Sequence, residues 1–201
     1  MKLYEMIIDE DYALSGVNAL SIVENPAIQS DFVALSDERK VMLAEVNADK
    51  QILMGAALIP DKPIYRNQGG EEFYIFFSKE TVAKAAEMFF KRSNQNNATL
   101  EHDVQLNGMT VFESWLVEDP SKDKSSAYGL DVPAGTWMVS MKVDDEEIWN
   151  NYVKNNKVLG FSIEGQFANI LKRDSYESNL SDQKLDKLVE ELTNILTEYH
   201  K

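Results

Sequence analysis

The chain has 201 residues, 44% of them of apolar type, a formal net charge of −14 and no cysteine. That length supplies one domain, or one domain with an appendage, and the apolar share is ample for a core. The acidic balance argues against nucleic acid as the main partner, and the missing cysteines remove disulfides, thiolate nucleophiles and thiolate metal sites. No apolar run reaches the roughly 18 residues of a membrane span. Met1 to Glu10 carries acids where a signal peptide would carry a basic segment and then an apolar one. The two histidines are His102 and His200, so a multi-histidine metal site is not expected, and no cofactor or metal is called for.

In chain order, residues 2–9 read as a first strand and 17–23 as a second, ended by Asn25-Pro26. Residues 29–39 read as a surface connection. Residues 41–46 and 51–59 read as a hairpin across Asn47–Lys50, closed by Pro60 and Pro63. Glu72–Phe77 is a strongly β-prone run. Ser78 is placed as the N-cap of a helix through about Arg92, with Val82, Ala85, Ala86, Phe89 and Phe90 as its core stripe. Residues 99–106 read as a strand carrying His102, and 110–118 as another. Residues 119–129 read as a polar loop without structure of its own. Residues 136–143 form a further strand. Asp144 and Glu147 have the spacing of a capping box for a helix that stops near Asn155-Asn156. The strand 157–167 follows. After Arg173 comes a polar linker, then Leu185, Leu188, Leu192, Ile195 and Tyr199 in a heptad-like stripe. That stripe serves either an amphipathic helix docked on the domain or an assembly helix. The count of about nine strands and three helices, without regular alternation, predicts an α+β protein of mostly antiparallel β structure, a barrel or sandwich with flanking helices.

The stretch with most chemical content is Leu159-Gly160-Phe161-Ser162-Ile163-Glu164-Gly165-Gln166. On a strand, Ser162, Glu164 and Gln166 share one face. A hydroxyl between large apolar neighbours is either a buried, satisfied serine or a nucleophile held on a rigid element. A serine nucleophile needs a base, and His102 is the one histidine away from the chain end. A third group normally orients the imidazole. Asp103, Glu164, Asn18 and the Asp9-Glu10-Asp11 cluster are candidates, and spacing selects none of them. No G-x-S-x-G elbow, P-loop or G-x-G-x-x-G is present. The acids at 144–147 sit at a helix start, where they favour the dipole.

Leu-Gly-Phe-Ser-Ile-Glu-Gly (159–165), after a short amphipathic helix, resembles the nucleophile strand of phage prohead maturation proteases. Leu-Glu-His-Asp (100–103) resembles their histidine strand, with histidine preceding serine as in that family. The XkdF-like branch is the nearest resemblance, through Met1–Glu5, Ala19–Ile28, Gly55–Asp61 and on to Phe167. The resemblance covers residues 1–172 and implies an assemblin-like β-barrel there; residues 173–201 are the linker and C-terminal amphipathic helix read from composition and the heptad-like stripe. It implies a serine endopeptidase with Ser162 as nucleophile and His102 as general base. The implied substrates are phage scaffold and major capsid proteins, cleaved inside the immature head within the host cytoplasm. Self-association through the C-terminal helix, and no nucleic-acid or membrane partner, complete the expectation. The alternative is a catalytically inactive capsid- or scaffold-associated protein of the same fold. In the usual prohead proteases a strand after the serine reads like Glu-Val-Ser-Leu-Val and then Pro-Ala, and its Glu is a proposed third member. Here the similar text, Ala19–Val23 and Pro26-Ala27, lies near the N-terminus, as in a circular permutation, with Ala19 where the acid is expected.

Overall fold

The computed structural model describes residues 2–28, 33–35 and 50–172. Its elements in order are β1 (Lys2–Ile7), β2 (Gly16–Val23), β3 (Val33–Leu35), β4 (Ile52–Leu58), β5 (Ile64–Gln68), β6 (Glu71–Phe77), α1 (Lys79–Lys91), β7 (Ala98–Leu100), β8 (Val104–Leu106), β9 (Met109–Leu116), α2 (Lys124–Ala127), β10 (Trp137–Val143), α3 (Glu146–Ile148), β11 (Gly160–Gln166) and β12 (Ala168–Lys172). A π-helical turn, Trp149–Val153, extends α3. The strands form three four-stranded sheets, ordered β12-β1-β6-β5, β3-β4-β10-β9 and β11-β2-β7-β8. Pairing is antiparallel except for β1 with β6 and β2 with β7. The fold is therefore α+β and mostly antiparallel. Among the described residues no sheet closes into a barrel.

The core follows from strands that are apolar on both faces. β4 is buried from Leu53 to Leu58 and β10 from Trp137 to Met141. β2 is buried at every position except Asn18. Helix α1 lays Val82, Ala85 and Phe89 onto this core, and Phe89 meets Trp137 edge to face at 5.4 Å. Ser78 caps α1 as expected, accepting the Thr81 N–H. Of the predicted stripe, Ala86 is half-buried and Phe90 is exposed.

Several expectations change. Residues 33–35, read as connection, form a short strand on β4. The strand predicted at 41–46, with its hairpin to 51–59, lies outside the described residues, as do the linker and helix of 173–201. β5 and β6 form a hairpin across Gly69-Gly70, whose φ values of 63° and 86° suit the tight primed turns. The loop at 119–129 contains α2, because Asp123 caps it and also accepts the Trp115 indole N–H. The cap of α3 is Asp145, not Asp144: its carboxylate accepts the Glu147 and Ile148 N–H groups.

Candidate active site

Ser162 lies in β11, where Gly160, Phe161 and Ser162 are buried. β11 pairs with β2 in the register Ser162↔Ser21 and Glu164↔Ala19. Residues directly opposite in an antiparallel pair share a face, so Ser162, Ser21, Glu164 and Ala19 belong to one side of the sheet. Gly165 is obligatory beside this site. A Cβ there would collide with the carbonyl oxygen of Gly16, because β2 carries an extra residue at this point and the backbones close in.

His102 is not inside a strand. Residues 101–103 form the turn of the β7–β8 hairpin, closed by the Asp103 N–H on the Leu100 carbonyl at 3.1 Å. Glu101 and His102 have φ of 51° and 62°, left-handed values that are uncommon for residues with a Cβ. The turn is held from both ends. The Glu101 carboxylate accepts the Glu24 N–H at 2.6 Å, and the His102 N–H donates to the Ser21 hydroxyl at 3.0 Å. Ser21, wholly buried, donates in turn to the Thr99 carbonyl at 3.3 Å.

The side-chain constellation follows from that anchoring. His102 Nδ1 is 3.2 Å from Glu164 Oε1. The same carboxylate oxygen accepts the Thr99 hydroxyl. The histidine and glutamate side chains are 43% and 29% exposed, so water reaches the pair. With Nδ1–H directed at Glu164, Nε2 is the nitrogen left to accept a proton. Ser162 is two residues from Glu164 on the same face, about 6–7 Å along the strand. Among the described residues no hydrogen bond joins Ser162 to His102 directly. Of the other third-group candidates, Asp103 follows His102 in the turn and Asn18 is the extra residue of β2; neither is joined to the imidazole among the described hydrogen bonds.

Ser162 also lines a cleft of about 490 Å³ with Ala57, Leu58, Ile75, Phe77, Phe167 and Arg66 among its walls. That volume falls in the range of small-molecule sites, roughly 300–1,000 Å³. Neither His102 nor Glu164 lines it. Ser162 is thus common to the cleft and to the strand face that carries the His102–Glu164 pair. Sequence reasoning missed Ser21 and Thr99 as supports. The signal for Ser21 was a lone hydroxyl in the middle of the apolar run Ala19–Val23.

The strand face thus carries a serine and a histidine–carboxylate pair, and the serine also lines a cleft. The family described as "Putative phage serine protease XkdF" matches residues 40–171, about two-thirds of the chain, and the chain belongs to that family. The match contains His102, Ser162 and Glu164 and begins after β1 and β2. No curated protein and no solved structure matches the chain.

Proposed function

We propose that the chain is a serine endopeptidase of phage head maturation, acting on scaffold and capsid proteins within the immature head. In this reading His102 Nε2 takes the proton of the Ser162 hydroxyl as Oγ attacks a peptide carbonyl. The imidazolium then gives that proton to the leaving amine as the C–N bond breaks, and an acyl-enzyme remains. Water, deprotonated by the same imidazole, hydrolyses the ester and regenerates Ser162. Glu164 orients the ring and stabilises its cationic form. The observation that carries the reading is the Glu164 carboxylate on His102 Nδ1, two residues from Ser162 on one strand face. The left-handed backbone at 101–102 supports it, since such conformations cost of order 1–3 kcal/mol each and gather at functional sites. The assemblin-like fold and the head-interior location belong to this reading through the family resemblance.

The test is co-expression with the scaffold and capsid proteins of the same phage. Ser162→Ala is expected to abolish their processing while leaving the melting profile unchanged; processing that continues at the wild-type rate refutes the assignment. A catalytically silent protein of the same fold is the second reading, favoured by the absence of a direct Ser162–His102 hydrogen bond among the described residues. Labelling by a fluorophosphonate that requires both Ser162 and His102 decides against it.

A further inference from the structure

The apolar core runs out into solvent on the β12-β1-β6-β5 sheet. The register of that sheet sets Leu171, Tyr4, Ile75 and Ile64 side by side in one row across its four strands. Burial falls along the row. Ile64 and Ile75 are 4% and 8% exposed, Tyr4 is half-buried and Leu171 is 50% exposed. Tyr4, Met6 and Phe73 pack against the core from this face, and with Ile75 they wall an open hollow of about 360 Å³. Tyr4 and Phe73 meet there edge to face at 5.6 Å. A sheet face that continues the core calls for a further layer, because apolar surface left in water costs roughly 25 cal/mol per Å².

A second apolar surface in the same chain calls for a partner too. The stripe Leu185, Leu188, Leu192, Ile195 and Tyr199 is widened by Val189 and Leu196. On a helix these two add a third apolar place per heptad to a and d. That is the pattern of a helix laid on a globular core, broader than a coiled-coil seam. A helix from 185 to 199 runs about 21 Å, and the six residues of β1 run about 20 Å. The path between the two surfaces is short. β12, which carries Leu171, ends at Lys172, and residues 173–181 can span up to about 30 Å. A tether of that length holds the stripe at an effective concentration of order millimolar, so it meets its own sheet before it meets another chain.

We infer that residues 182–200 form an amphipathic helix that docks on the Leu171–Tyr4–Phe73 face of its own chain and closes the core there. The inference is independent of the protease reading.

A chain without cysteine is suited to disulfide trapping. In the full chain, Leu171→Cys is combined in turn with Leu188→Cys, Leu192→Cys or Ile195→Cys on the stripe, and with Glu190→Cys or Asn194→Cys on the opposite side. Under mild oxidation at least one stripe pair is expected to close within one chain roughly tenfold faster than either control pair, read on non-reducing gels and by mass spectrometry. In hydrogen exchange, Leu188→Asp with Leu192→Asp is expected to speed the amides of β1 and β12 roughly tenfold while β10 keeps its protection. Equal closure from both sides of the helix, disulfides that form only between chains, or exchange in β1 and β12 unchanged by the double substitution each overturn the docking.

Discussion

Glu164→Gln is the sharpest perturbation of the proposed machinery, because it removes a charge at nearly constant shape. The Nδ1–Oε1 separation of 3.2 Å is at the long end for an N–H···O bond. A hydrogen bond to a charged group contributes about 1.5–3 kcal/mol. The partners are 43% and 29% exposed, so solvent screening takes the lower end, about 1.5 kcal/mol, or about tenfold in rate. A second effect adds to this. If the new amide presents its N–H to Nδ1, the imidazole proton moves to Nε2 and the base site is lost. The expected outcome is a ten- to hundredfold fall in kcat with KM within about twofold, since the carboxylate does not line the cleft. Peptide hydrolysis under saturating substrate measures it, with a thermal melt alongside, because the Thr99 hydroxyl shares the same oxygen. In a His102→Ala background the same change is expected to cost nothing further. A kcat within twofold of wild type, or an equal loss with and without His102, refutes the orienting role.

Three further outcomes follow from the packing. Ser21→Ala removes the acceptor of the His102 N–H inside a buried site and is expected to cost about 1–2 kcal/mol, a melting-point drop of about 2–8 °C, together with a loss of activity; unchanged melting would show that the turn holds itself. Gly165→Ala drives a methyl into the Gly16 carbonyl and is expected to destabilise by more than about 2 kcal/mol in urea unfolding, whereas an unchanged midpoint would contradict the close approach of β11 and β2. Glu113 is desolvated, which raises its ionisation, but hydrogen bonds from Lys124 and Ser140 outweigh this and hold the carboxyl below its ordinary value. A depressed folded-state value means stability that is present above the unfolded value and lost as pH falls through the folded one. Glu113→Gln is therefore expected to lessen the loss of stability with acid below about pH 4.5, read from melts across pH 2–6; an acid limb identical to wild type would show that the pair contributes nothing.

Much of this protein was legible as pattern. β2, β6, α1, β9, β10 and β11 follow from alternation, β-branched and aromatic runs and the Ser78 cap, all of which act within a few residues. Ser162 and His102 stood out because one is a hydroxyl in an apolar strand and the other has no internal competitor. Three local features differ from the sequence pattern: Gly69-Gly70 turns a β5–β6 hairpin, Asp145 and not Asp144 caps α3, and residues 124–127 form a short helix on the strength of Asp123 and Trp115. The histidine turn is a different case. Glu101 and His102 carry no glycine to announce left-handed backbone, and the conformation is held by Ser21 and Glu24, about eighty residues away in sequence.

Ser162 and His102 were thus named by residue type and local context. The group that orients the histidine could not be. Asp103, Asn18 and Glu164 were equivalent in spacing, and Ala19 stood where an acid was expected. The pairing of β11 with β2 sets Glu164 directly opposite Ala19, on the face that alternation within the strand already gives to both Ser162 and Glu164. The β7–β8 turn then brings the imidazole to that carboxylate. Chain-local chemistry determines which residues can react. Register between distant strands determines which of them meet, because a one-residue slip would turn Glu164 to the other face.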